Sequence, residues 1–170
     1  NCLGFCVFAM MVHIVPHAIE IGIDSLSAAN ILATVGGLSI VGKVFFGKLG
    51  DRIGSRLVYL MCFVLMAISL FLLIPARLTM VLYIFAAIFG LAYGGGVVSE
   101  SPLVAELFGL RYHGLILGII AFGFTFGGAI GPLTVGYMFD LFNTYGFAFL
   151  VCGIVSCIGL ISAFIITWKG

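Results

Sequence analysis

Residues 47–56 read Gly47-Lys48-Leu49-Gly50-Asp51-Arg52-Ile53-Gly54-Ser55-Arg56, ten residues carrying three glycines, three bases and one acid. Apolar sequence flanks them on both sides, Ser27–Phe46 before and Leu57–Pro75 after. Each flank is about the 20 residues a helix needs to cross the hydrocarbon core of a bilayer. A short, charged, glycine-marked segment between two such runs reads as the connection between two membrane spans.

Four further runs extend the pattern outward: Leu3–Ile19, Thr79–Val98, Gly114–Met138 and Gly146–Trp168. The last three of these, with Leu57–Pro75, contain no Asp, Glu, Lys or Arg. Leu3–Ile19 has only histidines as ionisable groups, and Ser27–Phe46 has Lys43. Membrane strands would be about ten residues with alternating polarity. Runs twice that long and apolar all round predict helices, each satisfying its backbone internally. The fold class is therefore all-α: six transmembrane helices in one bundle covering residues 1–170.

Composition agrees. Of 170 residues, 64% are hydrophobic and 8% charged, with mean hydropathy +1.36. Soluble domains run nearer 45–50% apolar and about 25% charged. A net charge of +1 leaves no basic footprint for nucleic acid. Cys2, Cys6, Cys62, Cys152 and Cys157 lie in or beside apolar runs and read as small packing residues. The chain starts at Asn1 with no charged segment before its first apolar run, so it reads as a piece of something longer.

The bases set orientation. With six spans, Lys43, Lys48, Arg52, Arg56, Arg111 and Lys169 collect at one end, and Arg77 stands at the other with Glu20, Asp24 and Asp140. The positive-inside rule then places both termini in the cytoplasm. The expected inner connections are Gly47–Arg56 and about Glu106–His113. The chain has 24 glycines. In the fifth run Gly114, Gly118, Gly123, Gly127 and Gly131 recur at close-packing intervals, and the fourth carries Gly90 and Gly94–Gly96. These read either as tight packing or as helices that slide and bend. Pro102 and Pro132, each lacking a backbone donor, favour bending.

The loop at 47–56 resembles the G-x-x-x-D-R-x-G-[RK]-[RK] loop of the major facilitator superfamily, with Ser55 at one usual basic position. Six spans with cytoplasmic ends match that family's C-terminal half, spans seven to twelve, so the resemblance implies a missing N-terminal half. A narrower resemblance is to the monocarboxylate transporter and oxalate:formate antiporter branch. Val12-His13-Ile14-Val15-Pro16-His17-Ala18 is similar to the branch's H-x-V-P-x-A span end. Val104-Ala105-Glu106-Leu107-Phe108-Gly109, followed by Gly114 and Gly118, is similar to its span ten-to-eleven junction. Gly42-Lys43-Val44-Phe45-Phe46-Gly47 resembles its G-R-x-x-x-G, with Lys43 where the branch places a carboxylate-binding arginine. A lysine keeps the charge and loses the bidentate fork.

The resemblance implies a secondary transporter of a small organic anion, a monocarboxylate, moved with a proton or in exchange, in a bacterial inner membrane or a plasma membrane. Lys43 is eight residues before Asp51, about 12 Å deeper along a helix. A lysine there costs about 2.5–3.5 kcal/mol on insertion scales. It reads as a substrate-binding cation or as a base snorkelling to the interface. Tyr93 and Phe122 fall where the branch lines its pocket with aromatics, against an alternative of ordinary packing. His13 and His17 share a helical face. His13, the deeper, is the candidate for the path, and no third ligand completes a metal site. In the superfamily the loop latches the two halves. Asp51, Arg52 and Arg56 would do this here, with Glu106 as the expected partner of an arginine, Asp51 meeting the missing half, and an acid favoured near a helix start. The other reading of this loop is a basic segment that only sets topology. Glu100 reads as an interfacial acid or part of a proton route. No catalytic constellation or cofactor motif is present in the sequence, and no cofactor is expected. The alternatives are a superfamily carrier of another anion or drug, and a receptor or scaffold on the same fold. Spans one, two, four and five are expected to face the cavity, and three and six the lipid.

Overall fold

A computed structural model describes residues 2–169, with side chains described for 2–166. Trp168 and Lys169, used above for the sixth span and the charge bias, have side chains outside the described set, and Asn1 lies outside it altogether. The helices are α1 Cys2–Glu20, α2 Ser25–Ile53, α3 Ser55–Leu73, α4 Thr79–Phe108, α5 His113–Phe142 and α6 Gly146–Lys169. All six are long and apolar enough to cross a membrane.

The helices overrun the apolar runs. α2 continues through Lys48, Asp51 and Arg52, so the expected ten-residue connection shrinks to Gly54 alone, at φ +92°. Only glycine adopts that backbone readily. α4 likewise runs ten residues past Val98, leaving a connection of 109–112. Hydropathy marks the part of a helix inside lipid. Leucine, lysine and arginine propagate a helix just as well in water. At its start α2 is capped by Asp24, whose carboxylate accepts the Ser27 N–H at 2.9 Å. That bond holds the Asp24 carboxyl below its usual range.

Packing follows a two-unit pattern. α2 packs most extensively on α4, and α5 packs chiefly on α1. If α1–α3 and α4–α6 are taken as equivalent units, these are the same contact made twice, the relation expected of a repeat too diverged to show in sequence. α3 and α6 pack on each other and against α4 and α1 as a second layer. The core between the layers holds Phe85, Phe89, Phe149, Met10, Ile14 and Met66, all fully buried.

Glycine sets the two dominant crossings. A Cβ on Gly94 would collide with the Ser39 carbonyl, one on Gly90 with that of Val35, and one on Gly42 with that of Leu91, all on the α2–α4 line. On the α1–α5 line Gly4 faces the Phe124 carbonyl and Gly131 that of Phe5. Lipid supplies no hydrophobic drive between helices, so such close backbone approach is a main source of attraction. By contrast Gly114 and Gly118 meet nothing within 4 Å.

Gly94→Ala should lower stability by about 3 kcal/mol, the upper end of overpacking costs, because backbone must move. Gly118→Ala should leave it equal or raise it by about 0.5–1 kcal/mol through helix propensity. Thermal unfolding of the purified variants in detergent checks both.

Candidate functional site

Among the described residues Lys43 is the one Lys or Arg within the lipid-length part of a helix. It is exposed, and it makes no hydrogen bond or ion pair among the described residues. Its position is fixed by the α2–α4 crossing: Gly42, the preceding residue, seats against Leu91, and Gly94 seats against the backbone of Ser39 and Lys43 itself. Tyr93, next to Gly94, is half-buried against the main core. The crossing therefore brings Lys43 and Tyr93 level with one another.

The other two candidates belong to the α1–α5 pair. The His13 ring lies at the bend-prone part of α5, where its Nε2 donates to the Pro132 carbonyl at 3.0 Å. That requires the tautomer protonated on Nε2. Its Nδ1 has no partner among the described residues, and the ring sits 5.7 Å from that of Tyr145. Pro132 removes a backbone donor from α5, and His13 ties α1 to α5 at that residue. Phe122 is 72% exposed and stacks 6.2 Å from Phe126 on the outer face of α5. The structure thus sets Lys43 and Tyr93 at one level of the α2–α4 crossing, places His13 in a helix–helix contact, and leaves Phe122 on an open apolar face.

At the basic end the geometry departs from expectation. Asp51 sits in the last turn of α2 and is not the acid at a helix start. That place is taken by Glu106, whose Oε1 accepts the Ser55 N–H at 3.0 Å and so caps α3 from α4. The departure at Ser55 fits this: the serine is 95% buried, where a long base would have no room beside Glu106. Asp51 and Arg52 are exposed and make no ion pair among the described residues. Arg52 lines a shallow depression with Phe45, Lys48 and Leu49. Arg56 is half-buried. Glu100 faces α3, where the Tyr59 hydroxyl donates to its carboxylate. Its Oε1 is buried without a partner among the described residues. The cross-helix cap was missed because nothing in the spacing of Ser55 and Glu106, 51 residues apart, announces it.

These features define a polytopic α-helical membrane protein with a lysine, unpaired among the described residues, at a glycine-sealed crossing. The family model for the Major Facilitator Superfamily matches residues 1–169, and the chain belongs to that family of membrane transporters. The mouse protein named monocarboxylate transporter 12 is 31% identical over 150 residues, covering 85% of this chain and 30% of the relative. Human monocarboxylate transporter 7 is 30% identical over 154 residues, covering 88% and 29%. The multidrug resistance protein MdtG of Proteus mirabilis is 27% identical over 166 residues, covering 94% and 41%. The chain spans about 30% of the length of the monocarboxylate transporters it matches.

Glu106→Ala should cost about 1 kcal/mol by stripping the α3 cap, and Glu106→Gln, which still offers an acceptor, less than half of that. Urea unfolding of each variant in mixed micelles measures the difference.

Proposed function

We propose that this chain is the C-terminal six-helix half of a secondary transporter that moves a small organic anion, a monocarboxylate, by proton symport or anion exchange. The carrying observation is Lys43, an exposed base without an ion-pair partner among the described residues, held level with Tyr93 by the α2–α4 crossing. An ammonium on a lipid-length helix needs an anionic partner or water. A carboxylate entering a central cavity supplies the first. Tyr93 can donate a second hydrogen bond, and Phe122 and His13 complete the lining as the bundle meets its partner half. Alternating access follows when two bundles rock about such a site. Asp51, Arg52, Arg56 and Glu106 bias that equilibrium at the basic end, which faces the cytoplasm of a bacterial inner membrane or plasma membrane. The protein is not an enzyme on this reading, and its partners are the bilayer, the N-terminal half, a carboxylate and a proton.

The similarity to MdtG favours a second reading, a carrier of drugs or other organic substrates. The charge at position 43 separates the two, since neutral substrates need none.

In the full-length protein Lys43→Gln should reduce uptake of radiolabelled lactate and formate at least 100-fold with unchanged membrane expression, and Lys43→Arg should keep a tenth or more. Unchanged uptake in Lys43→Gln rejects the assignment.

A further inference from the structure

Away from Lys43, the three connections that leave α1, α3 and α5 converge on a cavity of about 470 Å³. That is the size of ordinary small-ligand pockets, which run from about 300 to 1,000 Å³. Its lining includes His17, Glu20, Arg77, Thr144, Tyr145 and Phe149. His17 is 92% buried, with its ring edge-on to Tyr145 and Phe149 at 5.4 and 4.8 Å. Neither ring nitrogen has a hydrogen-bond partner among the described residues, and Nδ1 stops 3.9 Å from Glu20 Oε2, too far for a hydrogen bond. The two nitrogens are themselves buried, so the imidazole borders the cavity as part of its wall.

The charges on the wall point to the ligand. Glu20 and Arg77 both line the cavity yet form no ion pair with each other among the described residues. Two opposite charges lining one cavity and not paired with each other complement a ligand that carries both signs. The helix ends add to this. α1 ends at Glu20, presenting its negative pole and an acid, while α6 starts at Gly146 and presents its positive pole. The Tyr145 hydroxyl is pushed above its usual range by burial and by the charges of Glu20 and Asp140, so it remains a neutral donor. The aromatic walls suit the short carbon spacer between the two charges.

We infer that this cavity binds a small zwitterion, its ammonium toward Glu20 and its carboxylate or phosphate toward Arg77, with the rings of His17, Tyr145 and Phe149 as the wall between. The chemistry is shared by a free amino acid and by the phosphoethanolamine headgroup of a lipid. The site is separate from Lys43 and does not depend on the transport reading.

The test uses full-length protein in phosphatidylglycerol nanodiscs, whose lipid has no ammonium. Glycine and phosphoethanolamine are titrated in one arm and detected by saturation-transfer NMR. Phosphatidylethanolamine is added to the nanodiscs in the other and detected as retained lipid by native mass spectrometry. At least one of the two arms should show binding. That binding should weaken tenfold or more in Glu20→Gln and in Arg77→Gln, recover in Glu20→Asp and Arg77→Lys, and stay unchanged in Lys43→Gln. Binding in the first arm identifies a soluble zwitterion, and in the second alone a lipid. Glu20 and Arg77 are exposed, so these variants should fold. Binding in neither arm overturns the inference. So does loss in Lys43→Gln, or binding that survives Glu20→Gln and is matched by acetate, which would make the cavity a plain anion site.

Discussion

The bundle depends on backbone meeting backbone where side chains would normally stand. At Gly4, Gly42, Gly90, Gly94 and Gly131 a Cβ would come within 3.0 Å of a carbonyl on the facing helix. In lipid the outer face of a helix is as well solvated as its inner face, so apolar area alone does not hold two helices together. Close approach substitutes dense dispersion contact for that missing drive. It also fixes register: Gly94 fits only beside Ser39 and Lys43, and Gly131 only beside Phe5. Everything placed on α2 and α4, Lys43 included, inherits its position from that fit.

The same constraint shapes what each pair exposes. α2 and α5 spend their glycine faces on α4 and α1 and leave large apolar side chains outward, among them Ile40, Val44, Leu115, Ile119 and Phe122. α3 and α6 lie behind, against each other and the inner pair. The ionisable groups fall into distinct surroundings. Lys43 is open, Glu100 takes the Tyr59 hydroxyl, His13 holds the Pro132 carbonyl, and His17 faces a cavity.

Much of this was legible in the sequence, for definite reasons. A bilayer demands about 20 apolar residues per helix, so six runs meant six spans. Lys43 stood out because a base within such a run carries a known cost. Helix ends were less legible. Hydropathy stops at Phe46, but α2 continues to Ile53, since Lys48 and Arg52 prolong a helix outside lipid. That shift moved Asp51 from a helix start to a helix end and passed the capping role to Glu106. Glycine spacing singled out Gly118 and Gly131 alike, although one faces open space and the other a backbone carbonyl. Which glycine meets which helix is a property of the assembled pair. Arg77, read only as the odd base at one end, proved to line a cavity because three separate connections meet there.

On the proposed function, the α2–α4 crossing carries a water-accessible anion site. Thiol accessibility at Tyr93→Cys, in the full-length protein with its native cysteines replaced, tests it most directly. A membrane-impermeant thiol reagent should label the position when applied to either side of the membrane, and a small carboxylate should slow labelling from both. Labelling by a lipid-soluble reagent alone, or indifferent to carboxylate, would mean that the crossing holds no such site.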